Sequence, residues 1–173
     1  MAGKFEKALD EIDELIRLNP EDGFYYFVKG TVIYHSGSSI RDALSMFEYS
    51  LRLKPNLVEN HLFMGYCKMC EGKFYDAIAE LNSFIEQKGN EPNSYLMEAL
   101  CFMAAGDKTK AQELLEKAVA LAPALTAQAV QQQFNDLVFN QMELPEKIKI
   151  ALKAAASDVI SLFQKGISEV CHK

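Results

Sequence analysis

The apolar positions of this chain repeat with a fixed period over residues 3–123. Alanines recur at intervals of 35, 34 and 34 residues, at Ala8, Ala43, Ala77 and Ala111. A bulky apolar residue follows each alanine four positions later, at Ile12, Phe47, Leu81 and Leu115. Apolar residues spaced by three and four are typical of amphipathic helices, and a long fixed period is typical of repeat proteins. The pattern therefore predicts a stack of short helices.

Small residues, glycines and prolines divide each repeat into two helices. A small residue precedes a turn glycine by seven positions in three places: Gly30 and Gly37, Gly65 and Gly72, and Ala99 and Gly106. Twelve positions after the alanines stand Pro20, Pro55, Gly89 and Pro123. A small residue lets two helices approach closely, a glycine allows a tight reversal, and a proline ends a helix. Each unit is therefore predicted to be a helical hairpin.

Two of the predicted turns carry a recognisable motif. Residues 72–77 (Gly-Lys-Phe-Tyr-Asp-Ala) and 106–111 (Gly-Asp-Lys-Thr-Lys-Ala) resemble the tetratricopeptide repeat signature, in which a glycine and a polar residue precede an aromatic residue and an alanine. Lys108 replaces the aromatic residue in the second motif. The resemblance covers residues 3–123 and implies an all-α fold, a right-handed superhelical stack of helical hairpins (an α-α solenoid).

The resemblance also implies a division of the chain. The repeat array occupies residues 1–123, with a half repeat at 3–20 and full repeats at about 23–56, 58–91 and 92–125. The half repeat is a second helix without a first, because residues 3–8 match the middle of a repeat. Either the chain is a fragment of a longer array, or something else covers Leu9, Ile12 and Ile16.

Two further helices are predicted after Pro123, where the signature stops. Residues 125–143 carry apolar residues at helical spacing and are expected to cap the last repeat, at Ala129, Val130, Phe134, Leu137, Val138 and Met142. Pro145 suits the first turn of a C-terminal helix over 145–172. This helix is amphipathic, with an apolar seam of Ile148, Leu152, Ala155, Val159 and Leu162 and a polar side of Lys147, Lys149, Lys153, Ser157, Ser161 and Lys165.

The resemblance implies where a partner would bind. In this family the first helix of each hairpin lines a concave surface, and the matching positions here are Phe24, Phe27, Val28, Thr31, Leu62, Phe63, Tyr66, Leu96, Met97 and Leu100. Residues 62–67 and 100–105 are apolar nearly all round, which indicates helices buried on more than one side. A partner segment or the C-terminal helix of the chain itself is therefore expected to fill this surface. The alternative is that these residues are simply core.

The predicted function is a protein interaction module that receives a helical or extended apolar segment in the concave groove. The family's clamp of lysines, asparagine and arginine for a chaperone carboxylate is absent, because Phe27, Thr31, Phe63, Glu59 and Met97 occupy those positions. The apolar groove is more similar to the tetratricopeptide chaperones of bacterial secretion systems. Two alternatives stay open. The first is a structural or oligomeric scaffold, such as a homodimer, whose own C-terminal helix fills the groove. The second is the regulatory arm of a larger enzyme.

Charge and composition exclude several other classes. The net charge of -6 without a Lys and Arg cluster argues against nucleic acid, and the absence of a long apolar run argues against membrane insertion. Four cysteines lie within apolar helical patterns, which fits a reducing compartment and a cytoplasmic protein. Cys67, Cys70 and Cys101 lack a placed fourth ligand for zinc, and no histidine lies beside a nucleophile. We therefore expect no metal, no cofactor and no catalytic site.

Overall fold

All the regular structure that the chain forms in the described residues is helical. The computed structural model describes residues 2–139 and 144–170. The helices are α1 (Ala2–Leu18), α2 (Gly23–Ser36), α3 (Ile40–Leu53), α4 (Glu59–Cys70), α5 (Phe74–Lys88), α6 (Pro92–Ala104), α7 (Lys108–Leu121), α8 (Ala127–Phe134) and α9 (Glu146–Val170). A π-helical turn, Asn135–Phe139, continues α8. The predicted all-α class is confirmed.

The helices α1 to α7 pack in sequence as a stack of hairpins. Helices α2 and α3, α4 and α5, and α6 and α7 pack as pairs, while α1, α3 and α5 each pack against the next helix along the chain. Asp22, Ser39 and Asp107 cap α2, α3 and α7 through side-chain oxygens that accept backbone N–H groups. Neighbouring elements of the sequence are thus neighbours in space throughout the stack.

Close helix packing depends on small residues at the crossing points. A Cβ atom added at Gly30 would lie 2.7 Å from Cε1 of Phe47, and one added at Gly65 would lie 3.0 Å from Cγ of Leu81. The turns between the paired helices use Gly37, Gly72 and Gly106, which have φ angles of 72°, 77° and 92°. Glycine adopts this left-handed conformation without the steric cost of a Cβ atom. The small residue and the glycine together define each hairpin.

A buried hydrogen-bond network joins the first two hairpins. The Ser50 hydroxyl donates to the carbonyl oxygen of Gly23 at 2.7 Å and accepts from the Asn60 side-chain amide at 3.1 Å. That amide also donates to the carbonyl oxygen of Leu57 at 2.9 Å. Ser50 and Asn60 are fully buried, and these bonds replace water for the hydroxyl and the amide N–H groups, whereas Oδ1 of Asn60 has no hydrogen-bond partner among the described residues. The network fixes α2, α3 and α4 relative to one another.

The segment after α7 folds back onto the third hairpin. Helix α9 packs against α6, α7 and α8, and the π-helical turn packs against α4. The buried residues of this segment are Val130, Phe134, Val138, Leu144, Leu152, Ala155, Ala156, Val159 and Phe163. Of the predicted seam on α9, Ile148 and Leu162 are only half-buried. Residues 140–143 of the predicted capping helix and residues 171–172 of the predicted C-terminal helix lie outside the described residues.

The contact between Gly30 and Phe47 generates the first testable prediction. Gly30→Ala places a methyl group inside the van der Waals radius of a fully buried ring, so we expect it to lower the free energy of unfolding by about 1 to 3 kcal/mol. Gly3→Ala is the matched control, because a Cβ atom there meets nothing within 4 Å and should cause no loss. Urea unfolding monitored by circular dichroism measures both. Equal stability of Gly30→Ala and the wild type would contradict the packing argument.

Candidate concave interaction surface

The ten residues of the predicted concave row fall into two groups by burial. Six keep contact with solvent and form the open part of the row: Phe24, Phe27, Val28, Thr31, Leu62 and Phe63. Phe24 is 44% exposed, and the other five are half-buried. Four are buried and form the closed part of the row: Tyr66, Leu96, Met97 and Leu100. The structure therefore divides the row into an open and a closed part, although the sequence pattern predicts one continuous surface.

A cluster of aromatic rings holds the open part of the row together. The Phe63 ring stacks on Phe47 at a centroid distance of 5.3 Å and meets Phe27 edge to face at 5.7 Å. Phe27 in turn lies 6.2 Å from Phe24. Aromatic pairs at these distances stabilise by more than their buried area alone. The cluster joins α2, α3 and α4, so the half-exposed rings are held on a fixed support.

The closed part of the row is buried by the chain's own C-terminal segment and by neighbouring repeats. Leu96, Met97 and Leu100 lie on α6, which packs against α5, α7 and α9. The side-chain amide of Gln133, near the end of α8, donates to the side-chain oxygen of Asn93 at 2.6 Å and so links α8 to the start of α6. Leu96, Met97 and Leu100 are fully buried, so a partner cannot reach them in this arrangement.

Two residues outside the predicted row support its open part. Tyr34 is fully buried, and its ring meets Phe63 edge to face at 5.9 Å. Phe47, on α3, is also fully buried. Tyr34 stands seven positions after Phe27, which is two helical turns along the same face of α2, so helical periodicity alone could have added it. Phe47 was predicted only as a residue of the hairpin contact.

A polar cavity of about 730 Å³ lies between α8, the π-helical turn and α9. Its lining includes the side chains of Lys149, Lys153, Gln131 and Asn135. The amide of Gln131 donates to the Asn135 side-chain oxygen at 3.2 Å. The two lysines belong to the polar side of the C-terminal helix that the sequence predicts. This cavity is separate from the open part of the row and differs from it in chemistry.

The cysteines on α4 and α6 are buried thiols. Burial raises the pKa of Cys67, Cys70 and Cys101, and that of Cys70 to about 12. Thiols with raised pKa values are poor nucleophiles, since the thiolate is the reactive form. Within residues 2–139 and 144–170, no three His, Cys, Asp or Glu side chains are grouped to hold a metal ion. Cys171 and His172 lie outside the described residues.

One carboxyl group on α6 is buried without a hydrogen bond. Glu98 is 2% exposed, and its Oε1 atom has no hydrogen-bond partner among the described residues. Burial raises the pKa of this carboxyl to about 7, and the nearby positive charge of Lys117 opposes the shift. Because burial favours the neutral form of a carboxyl group, Glu98 titrates near neutral pH.

Comparisons with known proteins agree with the helical stack. No family model matches the chain. Tetratricopeptide repeat protein 16 of Mus musculus is 26% identical to it over 132 residues, which cover 70% of this chain. The predicted signature motifs, the paired helices and this sequence similarity point to one repeat type. The helical hairpins have the fold of tetratricopeptide repeats.

Solved structures share the fold of this chain over nearly its whole length. A crystal structure of MamA superposes with a TM-score of 0.67 at 15% identity, covering 96% of this chain and 93% of that chain. The MamA RS-1 ArsTM double mutant gives a TM-score of 0.68 at 20% identity, covering 96% and 89%. At these identities the likeness concerns the fold. The chain spans only 17% of the length of the mouse relative.

The tetratricopeptide fold suggests a protein interaction module. Across the described ranges, none of the helices combines the length and the apolar character needed to span a bilayer. The geometry supplies a supported, half-exposed aromatic surface on α2 and α4.

The second testable prediction follows from the burial of Glu98. Its pKa is raised in the folded protein above the unfolded value of 4.5, so the unfolded chain releases this proton at a lower pH. The free energy of unfolding should therefore fall as pH rises from about 4.5 through 7. Glu98→Gln removes this dependence and should raise Tm at pH 8 by roughly 4 °C, with the difference closing near pH 5.

The matched control is Glu113→Gln, which changes an exposed carboxylate on the neighbouring helix α7. Thermal unfolding from pH 5 to pH 9 measures all three proteins. Parallel pH profiles of Glu98→Gln and the wild type would contradict the assignment of this titration to Glu98.

Proposed function

We propose that the chain is a protein interaction module that binds the apolar side of a partner's helix or extended segment on the open part of the row. The observation that carries this proposal is the set of half-exposed aromatic side chains on a buried aromatic support. Phe24 and Phe27 are neighbours on α2, and the rings of Phe27 and Phe63 both contact the buried ring of Phe47, at 5.9 and 5.3 Å. Aromatic anchors that need little reordering are the residues that dominate protein interfaces.

The surroundings of the open part favour an apolar segment with polar flanks. The ammonium group of Lys54 lies 5.8 Å from the centre of the Phe24 ring, and Lys29 pairs with Asp13 at 2.5 Å. Apolar interface centres are commonly surrounded by polar and charged groups of this kind. The hydroxyl of Thr31 donates to the carbonyl oxygen of Val28 at 2.7 Å, so it does not need a partner's acceptor. An amphipathic helix or extended apolar segment fits this combination.

The third testable prediction concerns Phe24. Its side chain is the most exposed of the row, so Phe24→Glu should leave the fold intact while placing a charge where the partner would bury apolar surface. Peptides selected from a displayed library on the wild-type protein should carry apolar residues, and their affinity for Phe24→Glu should fall about tenfold. Phe63 is unsuitable for this test because its ring also packs in the core cluster.

Tyr75→Glu is the matched control, because Tyr75 is an aromatic residue that is 66% exposed at the start of α5, outside the row. Fluorescence polarisation with one labelled peptide measures all three affinities. Peptides that bind wild type and Phe24→Glu equally, or that lose binding only to Tyr75→Glu, would contradict the proposal.

A scaffold whose own C-terminal helix covers part of the row is the second candidate function. The packing of α9 against α6 and the burial of Leu96, Met97 and Leu100 favour it for the third hairpin. In this candidate the outer surfaces would build an oligomer, including a homodimer. The two candidates are compatible if partner binding is confined to the first two hairpins.

Deletion of residues 145–173 gives the fourth testable prediction. It removes the buried side chains of Leu152, Val159 and Phe163, so we expect a lower Tm and aggregation of the exposed third hairpin. Differential scanning calorimetry and light scattering measure this. A soluble, folded truncation with stronger binding of a hydrophobic dye and of the selected peptides would instead make α9 an exchangeable cover. Unchanged dye binding by a folded truncation would contradict both roles of α9.

We further propose that this chain binds rather than catalyses and that it acts in the cytoplasm. The free, buried thiols of Cys67, Cys70 and Cys101 fit a reducing compartment, where cysteines stay unpaired. Their raised pKa values disfavour nucleophilic catalysis. If the chain is the arm of a larger enzyme, the open part of the row would serve to position that enzyme's target.

A further inference from the structure

The polar cavity between α8, the π-helical turn and α9 carries positive charge and no carboxylate. Lys149 and Lys153 line it, and none of its ten lining residues is Asp or Glu. Neither lysine has an ion pair with any described residue. The chain as a whole carries a net charge of -6, so this cavity, here called the lysine cavity, is opposite in sign to the protein around it.

The carboxylates near the lysine cavity are directed elsewhere. Asp158 of α9 lies 4.0 Å from Nζ of Lys108, on the side of α9 that meets α7. The Asp136 carboxylate accepts a hydrogen bond from the side-chain amide of Gln132 at 2.8 Å. Glu146, at the start of α9, does not line the cavity, and neither do the two aspartates. The charge of the two lysines is therefore left for a ligand.

Uncharged hydrogen-bond donors accompany the two lysines. Ser157 and Ser161 continue their stripe along α9 at intervals of four residues, and both line the cavity. The two hydroxyl groups have no hydrogen bond to any described residue. On the other wall, the Asn135 side-chain oxygen accepts from Gln131, which leaves the N–H groups of Asn135 for another acceptor. Donors of this kind beside two positive charges suit an anionic oxygen ligand.

The spacing of the lysines favours a pair of carboxylates over a single phosphate. Residues four apart on a helix are displaced by about 6 Å along its axis. Side chains two residues apart on an extended chain share a side and are about 6.6 to 6.8 Å apart, which is a close match. Phosphate is commonly held by arginine or by free N–H groups at a helix start. No arginine lines the cavity, and the N–H groups of Ile148 and Lys149 both donate to the carbonyl oxygen of Pro145.

The rest of the wall suits a peptide rather than an ion. Phe139 and Ile160 are half-buried and line the cavity beside the polar groups. The cavity volume of about 730 Å³ lies within the range of ligand sites in proteins. The π-helical turn supplies Asn135 and Phe139, and such turns are rare and frequently lie at functional sites.

This sequence does not itself supply the matching segment. Glu11 and Asp13 are the one pair of acidic residues separated by a single residue. They lie within helix α1, where residues two apart point in different directions. Neither this stretch of the chain nor the same stretch of a second copy can therefore present both carboxylates as an extended segment does.

We propose that the lysine cavity binds an extended acidic segment of a partner protein, in which two carboxylates are separated by one residue. The carboxylates pair with Lys149 and Lys153 and accept hydrogen bonds from Ser157 and Asn135, while apolar side chains of the segment contact Phe139. The lysine cavity is a second interaction site. It is independent of the open part of the row, because it recognises charge where the open part recognises apolar surface.

A short acidic peptide is the probe for this proposal. A fluorescein-labelled octapeptide with two glutamates separated by one leucine, and serine elsewhere, is titrated into the full chain and followed by fluorescence anisotropy. We expect saturable binding that weakens as sodium chloride is added, because salt screens solvated charges. Lys153→Glu should weaken it about tenfold, since it removes one positive charge and places a carboxylate four positions from Lys149. Lys153→Gln should weaken it about threefold.

Matched controls test the position of the charge and the spacing of the carboxylates. Lys147→Glu makes the same charge change at an exposed lysine of α9 outside the cavity and should leave the affinity unchanged. A peptide with glutamine in place of glutamate should not bind. One with adjacent glutamates, which point to opposite sides of an extended chain, should bind about threefold more weakly. Phe24→Glu should bind the acidic peptide as the wild type does, so each proposal can fail without the other.

Several outcomes overturn the proposal. One is absence of saturable binding, or equal binding of the glutamate and glutamine peptides. Equal weakening by Lys147→Glu and Lys153→Glu would assign the attraction to overall charge. Inorganic phosphate or free glutarate that displaces the peptide at the peptide's own concentration would assign the cavity to a small anion. Sedimentation that reveals a dimer of the wild type, lost in Lys153→Glu, would assign it to a second copy. Circular dichroism checks that the variants are folded, and Lys153→Gln decides the result if Lys153→Glu is not.

Discussion

The close approach of two helices at a small residue is the constraint on which the stack depends. Gly30 leaves room for the Phe47 ring, and Gly65 leaves room for Leu81, so each second helix buries its large apolar residue against the backbone of its first helix. The third hairpin has Ala99 and Leu115 at the equivalent positions, and both are buried. Dense packing of this kind leaves little tolerance for added atoms. The aromatic support of the open part follows, because Phe47 is held where Phe63 can stack on it.

Other equivalent positions differ in residue type between the hairpins, although each hairpin keeps its small residue at the helix crossing. In the second hairpin, Glu80 pairs with His61 and Lys68. In the third, the corresponding positions are Leu114, Tyr95 and Phe102, and the lysines Lys117 and Lys110 lie over the two rings. Ion pairs in the second hairpin and cation–π contacts in the third thus involve corresponding positions. Glu98, beside the aromatic version, is left with a buried carboxyl group whose pKa is raised.

The sequence predicts the hairpins well because their determinants are local and periodic. A small residue, a turn glycine and an apolar residue four positions after an alanine are all visible without knowledge of distant contacts. The sequence indicates that the surface carrying Leu96, Met97 and Leu100 is covered, but it leaves open whether a partner or the C-terminal helix covers it. Helices α8 and α9 lack the repeat period. Amphipathicity alone identifies the apolar face of a helix but not the surface against which that face packs. The same limit applies to Glu98, whose environment is set by the packing of α6 against α7.

The two ends of the array differ in a way that bears on function. At the C-terminal end, α9 packs against both helices of the third hairpin, whose part of the predicted row is buried. At the other end of the described chain, Ala8, Leu15 and Glu11 keep the exposure that their equivalents lose in complete hairpins. Large exposed apolar side chains occur towards both ends, at Leu18 on α1 and at Ile150 on α9, so exposure alone does not select one end. The open part of the row differs from them by its aromatic support, because the rings of Phe27 and Phe63 lie against the buried ring of Phe47.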